Sequence, residues 1–273
     1  MFEIERIIRT ALLEDIGAGD LTTEATIAAG TQAAARLVAK EAFTLAGIEV
    51  ARQVFATVDP RISFVARKSD GQAVLKGELL AEMQGDAASL LKGERVALNL
   101  LQRMSGVATL TARFVAAVSG TRAQIVDTRK TTPGLRILEK YAVRMGGGRN
   151  HRYALYDGVL IKENHIAAAG GIGPAVERAR LRLSHIHKIE IETRNLDEVR
   201  QALAAGVDVI LLDNMEPAGL REAVTLVAGR AVTEASGGVS LESVRAIAES
   251  GVDLISVGAL THSYRAVDIS MLF

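Results

Sequence analysis

Positively charged side chains are concentrated in one stretch of the sequence, residues 127–165. These 39 of the 273 residues hold eight of the 32 lysines and arginines and two of the five histidines. One apolar run precedes the stretch at Ile125-Val126, and another lies near its end at residues 159–161. Cations placed at strand ends point to one edge of a sheet, where α/β proteins bind their ligands. The stretch therefore predicts a binding site for a small molecule that carries several negative charges.

Some of these cations fit a helix surface better than a site. Arg136, Lys140 and Arg144 recur every four residues, which is typical of the solvated face of a helix. We predict that these three side chains are exposed. The other candidates lie beside glycines, a proline or strand ends, where a merely solvated charge is not needed. They are Arg129, Lys130, His151, Arg152, Lys162 and His165.

The second half of the chain has the pattern of a repeated βα unit. Apolar runs separated by amphipathic helical patterns end at residues 127, 162, 192, 213, 236 and 258. The last three intervals are 21, 23 and 22 residues, the length of one βα unit. Such runs predict a buried parallel sheet. A complete eight-fold barrel needs about 250 residues, so the sequence after residue 122 is too short for one.

The first part of the chain predicts a small α+β domain. The predicted elements are helix 1–15, strand 34–40, helix 47–57, strands 62–66 and 79–83, and a helical stretch 88–119. Asp20 and Thr22 are candidate helix caps, and the helical stretch is predicted to break near Ser105-Gly106. We predict one domain at 1–118, joined by the apolar tail 264–273, and a second at 119–263.

Two carboxylates, Glu192 and Asp213, end neighbouring predicted strands. They can share one metal ion or bind the hydroxyls of a ribose, and the sequence leaves both roles open. Oxygen ligands of this kind suit Mg²⁺ completed by phosphate and water. A zinc site is not predicted, because His185 and His187 precede a strand without a third ligand. We predict that both histidines lie on the surface.

Glycines follow the last two predicted strands, as Ser236-Gly237-Gly238 and as Gly258, with His262 nearby. Backbone N–H groups can approach an anion closely where no Cβ intervenes, and barrels often bind phosphate at their last two strand loops. A helix predicted to begin at Ser240 would add its dipole. Paired glycines also occur in plain turns, so their position at strand ends is what favours phosphate binding.

The composition excludes several classes of protein. The net charge is zero, with 32 residues of each sign, which argues against nucleic-acid binding. The sequence has no cysteine, hence no disulfide framework and no thiolate metal site. The N-terminal residues lack the apolar run of a signal peptide, and no window resembles a membrane span. We therefore expect a cytoplasmic protein.

Three motifs identify a resemblance to a known family. DTRKTTPGLR at 127–136, GGGRNHR at 146–152 and LIKENH at 160–165 resemble quinolinate phosphoribosyltransferases, and the similarity extends from GDLTT at 19–23 to VGALTHS at 257–263. The resemblance implies an α/β fold, an incomplete (open) parallel βα barrel of about six strands after an N-terminal α+β sandwich domain. It implies the substrates quinolinate and 5-phosphoribosyl-1-pyrophosphate, and the products nicotinate mononucleotide, pyrophosphate and CO₂.

The resemblance also implies roles for individual residues. Quinolinate is implied to be held by Arg129, His151, Arg152 and Lys162, beside the substrate-binding candidates Thr128 and His165. Lys130 matches a lysine close to both substrates, and Glu192 and Asp213 match acids that face the ribose and the metal, expected to be Mg²⁺. The 5-phosphate is implied to lie at Ser236, Gly237, Gly238, Gly258 and His262.

The family pattern further implies a homodimer with shared active sites. ERVALN at 94–99 matches a family helix whose arginine reaches the neighbouring subunit, which assigns that role to Arg95. The surrounding residues are largely apolar, so we expect Arg95 to be buried beside an anion. Two departures from the pattern are Met145, where cysteine is frequent, and Glu163, where aspartate is frequent. Neither removes a required charge.

Two other functions compete with this one. A related phosphoribosyltransferase linked to molybdenum transport shares the fold and the TRKT-like start. It lacks the intact NHR and LIKxNH motifs, so an assay with quinolinate separates the two. A catalytically silent sugar-phosphate-binding barrel would keep the glycines but lose the acids, whereas Glu192 and Asp213 are both present.

Overall fold

The structure is a computed structural model that describes residues 2–273. The chain divides into two compact units. Unit 1 comprises the residues up to Ala112 together with Thr131–Gly147 and Ser263–Phe273, and unit 2 comprises Arg113–Lys130 and Gly148–His262. Among the described residues, no helix is both long and apolar enough to cross a membrane.

Unit 1 is built on a four-stranded antiparallel sheet in the order β12-β1-β5-β3, with a separate two-stranded ribbon of β2 and β4. Its elements, numbered in chain order with those of unit 2, are α1 (Phe2–Ile16), α2 (Leu21–Thr26), β1 (Gln32–Ala39), β2 (Phe43–Thr44), α3 (Ile48–Val58), β3 (Ser63–Ala66), β4 (Ala73–Val74), β5 (Leu79–Asp86), most of α4 (Ala87–Ala117), α5 (Arg136–Met145) and β12 (Ile269–Leu272).

Two features of unit 1 agree with the sequence analysis, the cap of α2 and the position of the C-terminal tail. Asp20 caps α2, because its Oδ1 accepts a hydrogen bond from the Thr23 N–H at 3.0 Å. The C-terminal tail returns to this unit as predicted, since β12 pairs antiparallel with β1 and places Met271 opposite Leu37. The tail thereby covers an edge of the sheet.

The structure corrects the predicted domain boundary. Residues 131–147 were assigned to the barrel, but they belong to unit 1, and the first boundary falls after Ala112 rather than after residue 118. Packing explains the difference, because α5 buries Glu139 and Lys140 in unit 1. The prediction that Lys140 is exposed is therefore wrong, since only 2% of it is accessible. Arg144 on the same helix is exposed.

The predicted break in α4 is also wrong, because residues 87–117 form one helix of 31 residues. Gly106 serves close packing instead of a helix end. A Cβ added there would lie 2.3 Å from the carbonyl oxygen of Arg265, so only glycine lets that backbone approach the helix. The neighbouring Ser105 is fully buried, and its hydroxyl accepts the Ala46 N–H at 3.0 Å.

Unit 2 confirms the predicted α/β class, with six parallel strands in the open order β6-β11-β10-β9-β8-β7. Its elements are β6 (Gln124–Val126), β7 (Val159–Ile161), α6 (Glu163–Ala169), α7 (Ile172–Arg182), β8 (Ile189–Thr193), α8 (Leu196–Ala204), β9 (Val209–Asp213), α9 (Pro217–Val227), β10 (Val232–Ser236), α10 (Val244–Ala248), β11 (Leu254–Ser256) and α11 (Ala259–His262).

Side chains alternate across the central strands of this sheet. The parallel register pairs Glu192 of β8 with Leu211 of β9, and Leu211 with Glu234 of β10. Because successive residues point to opposite faces, every second residue of each strand faces the same side. Ile191 and Leu212, on the other side, are fully buried.

We predict that Gly106→Ala destabilises the protein by about 1–3 kcal/mol, the usual cost of forcing atoms into a packed interior. This loss should outweigh the gain of about 1 kcal/mol that alanine brings to a helix interior. Gly173→Ala in α7 is the matched control, since its added Cβ meets nothing within 4 Å. Thermal unfolding of both variants checks the prediction, and a Gly106→Ala protein as stable as the control would contradict it.

Candidate active site

A cavity of about 620 Å³ lies at the carboxyl ends of the strands of unit 2. It brings together most of the site residues predicted from the sequence. Those that line it are Thr128, Arg129, Lys130, His151, Arg152, Lys162, Glu192, Asp213, Ser236, Gly237, Gly238, Gly258 and His262. Cations, acids and glycine loops therefore face one volume, which is large enough for a small ligand.

The cationic part of the cavity is built for an anion. Arg129 and Arg152 are both half-buried and lie close enough to affect each other. Burial, and then the charge of Arg129, lower the pKa of the Arg152 guanidinium from its usual value. Arg152 is held by a hydrogen bond from its Nη1 to the Gly158 carbonyl at 3.0 Å. Two neighbouring, partly buried guanidinium groups favour a bound carboxylate or phosphate.

A buried aspartate fixes the segment that carries His151 and Arg152. Asp127 is fully buried and accepts hydrogen bonds from Asn150 Nδ2 at 2.6 Å and from the His151 N–H at 2.8 Å. Arg149 pairs with Val126 in a parallel bridge at the outer edge of β6. The segment is thus anchored to one edge strand of the open sheet, before the chain continues to β7 at the other edge.

The predicted acids lie on neighbouring strands, as the sequence indicated. Glu192 is close to Lys162, with Oε2 and Nζ 3.5 Å apart. Asp213 accepts a hydrogen bond at its Oδ2 from Nδ2 of Asn214 at 2.9 Å. Both carboxylates line the cavity. Their oxygen atoms are of the type that Mg²⁺ prefers, and a ligand in the cavity can reach both carboxylates.

Glycines form the part of the cavity wall that a phosphate needs. A Cβ added to Gly258 would lie 3.0 Å from Cδ of Lys130 and 3.1 Å from Nε2 of His262, so these two side chains pack closely against the glycine. Gly237 and Gly238 have φ values of +99° and +59°, which favour glycine. Both glycine loops line the cavity, where their backbone can approach a bound anion.

One part of the predicted cradle is wrong. The helix expected to begin at Ser240 begins at Val244, and α10 is only five residues long. Ser240 and Ser243 form a turn in front of it, in which the Ser240 N–H donates to Ser243 Oγ at 3.0 Å. The Ser243 N–H donates to Ser240 Oγ at 3.3 Å and the Val244 N–H to the Ser240 carbonyl at 2.9 Å, so Ser240 caps the turn that leads into α10. The cradle consequently consists of loop backbone, without a long helix behind it.

Two buried glutamates, missed in the sequence, lie beside His151. Nε2 of His151 is 3.0 Å from Oε2 of Glu190 and 3.6 Å from Oε1 of Glu234. Glu234 is 1% exposed and lines the cavity, and its Oε1 has no hydrogen-bond partner. Burial, and then the charge of Glu190, raise the pKa of Glu234 to about 7. Glu234 therefore holds a proton over much of the range below neutral pH.

These three residues have the types of metal ligands, and one ligand atom of each lies within 4.8 Å of the others. The hydrogen bonds argue against a metal there. The Arg152 N–H donates to Nδ1 of His151 at 2.7 Å, so the hydrogen-bond pattern assigns the ring proton to Nε2. A protonated Nε2 cannot coordinate a metal, but it can donate to Glu190.

Two predicted site residues lie outside the cavity lining. His165 is exposed, and its Nδ1 accepts the Lys162 N–H at 2.9 Å, which stabilises the first turn of α6. Arg95 on α4 of unit 1 is exposed in the single chain, and its burial beside an anion of a partner subunit stays a prediction. Its neighbours Val96 and Leu98 are buried, while Asn99, one turn after Arg95, is exposed with it.

Sequence reasoning missed Glu190, Glu234 and Asn214. The first two carried a usable signal, because each lies two residues before a recognised site residue, Glu192 or Ser236, on the same strand. Alternation places residues two apart on one face. Asn214 directly follows Asp213 and lines the cavity, but only its backbone conformation singles it out. The exposed His185 and His187 confirm the surface prediction for that pair.

Comparison with known proteins gives consistent matches over the whole chain. Two family models match it, "Quinolinate phosphoribosyl transferase, N-terminal domain" at residues 20–105 and the corresponding C-terminal domain at residues 107–272. A Bacillus subtilis relative named "Probable nicotinate-nucleotide pyrophosphorylase [carboxylating]" is 47% identical over 98% of this chain and 93% of its own length. An Arabidopsis thaliana relative, "Nicotinate-nucleotide pyrophosphorylase [carboxylating], chloroplastic", is 44% identical over 99% of this chain and 82% of its own length.

Solved structures agree with this result. NadC from Streptococcus pyogenes superposes with a TM-score of 0.97 at 42% identity, covering 100% of this chain and 96% of that one. The nicotinate-nucleotide pyrophosphorylase from Francisella tularensis gives a TM-score of 0.95 at 41% identity, covering 99% of this chain and 95% of that one. The fold class predicted from the sequence is thereby confirmed.

We predict a pH-dependent stability that originates at Glu234. Its pKa in the folded protein, about 7, lies above the ordinary value of 4.5, so folding strengthens proton binding. The resulting stabilisation is complete below about pH 4.5 and is lost as the pH rises through 7. Glu234→Gln stays neutral and should flatten the fall in melting temperature over this range. Exposed Glu222→Gln is the control, and equal slopes in all three proteins would contradict the prediction.

Proposed function

We propose the following activity for this chain, which belongs to the quinolinate phosphoribosyltransferase family: it transfers the phosphoribosyl group of 5-phosphoribosyl-1-pyrophosphate to quinolinate, with loss of CO₂. The products are nicotinate mononucleotide, pyrophosphate and CO₂, and the reaction serves NAD biosynthesis. The observation that carries the proposal is the single cavity that cations, acids and glycine loops line together. The cations, the acids and the glycine loops each suit one part of the two substrates.

The cations fit quinolinate, a planar dicarboxylate. Arg129 and Arg152 can each grip a carboxylate with two parallel hydrogen bonds, and their mutual repulsion falls when the anion binds. Lys162 adds a third charge, and it is positioned by Glu192. Asp127 holds the His151-Arg152 backbone in place, so the grip is preorganised before the substrate arrives.

The acids fit the sugar. When the anomeric C–O bond breaks, its electrons leave with pyrophosphate and positive charge develops on the ribose. Glu192 and Asp213 can stabilise this charge, while Lys130 can hold an anionic oxygen of either substrate. The quinolinate nitrogen then forms the new C–N bond. No protein nucleophile is required, in keeping with a sequence that has no cysteine.

Decarboxylation follows from the same bond. Once the ring nitrogen is alkylated it is positively charged, and the electrons of the adjacent C–CO₂ bond can move into the ring. Carbon dioxide leaves, and the ring carbon takes up one proton. The cations that hold the other carboxylate keep the ring in place during this step.

Mg²⁺ is part of the proposal. Glu192 and Asp213 would hold it together with substrate oxygens, since both are carboxylates that line the cavity on neighbouring strands. When bound, the ion supplies charge neutralisation for the pyrophosphate leaving group. The His151, Glu190 and Glu234 group does not suit it, because Nε2 of His151 carries the ring proton.

We further propose a homodimer in which Arg95 completes the partner's active site. Arg95 is exposed on α4, and so is Asn99 one turn later, while the helix buries Val96, Leu98 and Leu100. A polar stripe on an apolar helix fits an interface that receives an anion. A two-fold interface would repeat the contact in both directions.

The alternatives weighed on the sequence are not favoured. The full-length similarity to carboxylating pyrophosphorylases argues against the molybdenum-transport paralogue. A non-catalytic sugar-phosphate barrel would not need Glu192 and Asp213 in the cavity.

We predict that Arg152→Lys weakens quinolinate binding by about 1.5–3 kcal/mol, the worth of a hydrogen bond to a charged group. The variant keeps the charge but loses the planar fork. Titration calorimetry with quinolinate measures the effect. Arg149→Lys is the control, because Arg149 is exposed and does not line the cavity. Unchanged affinity in Arg152→Lys would remove this residue from the grip.

We also predict that two inactive variants complement each other. Arg95→Ala and Lys130→Ala should each be nearly inactive as homodimers. After subunit exchange, a mixed dimer has one site with both residues intact, so equal mixing should restore about one quarter of wild-type activity. Native mass spectrometry verifies the exchange. If mixed dimers form without recovered activity, Arg95 does not act on the partner's site.

A further inference from the structure

Asn214 has a backbone conformation that is uncommon for a residue other than glycine. Its φ is +54°, and among the described residues only Ala228, at +49°, is another non-glycine residue with positive φ. Ala228 is the C-cap of α9, where left-handed backbone is common. Asn214 instead lies just after β9 and lines the cavity. Asparagine tolerates this conformation better than most residues, but strained backbone at a cavity points to a role there.

The contacts of Asn214 connect two neighbouring loops. Its N–H donates to the Ser236 carbonyl at 2.8 Å, which extends the pairing of β9 and β10 by one residue. Its Nδ2 donates to Oδ2 of Asp213 at 2.9 Å. One residue thus binds both a cavity carboxylate and the start of the glycine loop.

The side chain also lies tightly against Gly237. A Cβ added to Gly237 would be 2.1 Å from Oδ1 and 2.5 Å from Cγ of Asn214. Gly237 itself has a φ of +99°. Position 237 therefore requires glycine for two reasons, the contact with the Asn214 side chain and the backbone conformation of Gly237. The loop cannot move toward β9 without displacing the amide that holds Asp213.

We propose that Asn214 is a positioning residue that fixes the distance between the Asp213 carboxylate and the Ser236–Gly238 loop. This inference rests on the proposed function. A phosphoribosyl group carries its reacting carbon at one end and its 5-phosphate at the other. Asp213 faces the first and the glycine loop faces the second, so the amide sets the span within which one phosphoribosyl group can touch both. Errors of about 1 Å in such a span are costly.

Two variants separate this role from a general effect on folding. Asn214→Gly keeps the left-handed backbone and removes the side chain. Asn214→Asp keeps the shape but replaces the N–H donor by an oxygen that faces Asp213. Both should lower kcat between about tenfold and a hundredfold and raise KM for 5-phosphoribosyl-1-pyrophosphate, while KM for quinolinate changes less than twofold. The dicarboxylate grip lies on other segments, which explains the difference.

The matched control is Ala228→Gly. It makes the same backbone change at a residue outside the cavity lining and should leave all three kinetic constants unchanged. If both Asn214 variants keep wild-type kcat and KM values, the proposal is overturned. It is equally overturned if they lower the melting temperature and affect both substrates to the same degree, because a structural role alone would do that.

A steric test makes the coupling specific. Gly237→Ala pushes its Cβ into the Asn214 amide, so it should impair wild type strongly. In the Asn214→Gly background that clash is gone, and the added loss in kcat/KM should be at least fivefold smaller, with only the strain of the positive φ remaining. Equal losses in both backgrounds would show that the two residues act independently.

Ribose 5-phosphate binding distinguishes failure of this inference from failure of the proposed function. Wild-type protein is first assayed with quinolinate and 5-phosphoribosyl-1-pyrophosphate, and no turnover would reject the proposed function. Calorimetry with ribose 5-phosphate then tests the positioning role without turnover. Weaker binding in Asn214→Asp and unchanged binding in Ala228→Gly support it. Wild-type affinity in Asn214→Asp overturns it.

Discussion

The parallel register of β8, β9 and β10 is the constraint on which the cavity depends. It pairs Glu192 with Leu211 and Leu211 with Glu234, and one step further it pairs Asp213 with Ser236. Because every second side chain faces the same side, the strands present two levels of polar groups. Glu192 and Glu234 belong to the deeper level, and Asp213 and Ser236 to the level at the strand ends. A one-residue slip of any strand would move its polar groups to the face that now buries Ile191 and Leu212.

The two buried glutamates beside His151 are compatible with a stable fold because Glu234 is neutral. Glu190 and Glu234 would repel each other strongly if both were ionised in this buried place, and burial keeps Glu234 protonated to about pH 7. His151 then donates to one carboxylate, Glu190, and its other nitrogen receives the Arg152 N–H. The histidine ring therefore transmits a fixed orientation from the buried acids to the backbone that carries the dicarboxylate grip.

The sequence predicted the site residues correctly where they follow a regular strand pattern or belong to a specific motif. The strand-end residues were predictable because the strands are short apolar runs at regular intervals, and the motifs around Arg129, Arg152 and Lys162 are specific. The failures concern tertiary contacts. Lys140 has the spacing of a solvated helix face, yet it is buried because α5 packs within unit 1. Gly106 looks like a helix break, yet it admits the Arg265 backbone. Glu234 looks like an ordinary strand residue until the register places it beside Glu190.

Two segments of unit 1 follow directly in the chain after residues that line the cavity. Lys130 and His262 both line it, and the residues that follow each of them, from Thr131 and from Ser263, belong to unit 1. Within unit 1, one arginine holds both returning segments. Arg103 donates to the fully buried Glu139 at 2.6 Å and also to Thr132, and its guanidinium lies 4.9 Å from the centre of the Tyr264 ring. Glu139 in turn accepts the Thr132 N–H at 3.0 Å. Removing Arg103 would leave the fully buried Glu139 carboxylate without its charge partner, which is costly in a protein interior. The chain segments next to Lys130 and His262 are therefore tied to one charge pair, although neither Arg103 nor Glu139 lines the cavity.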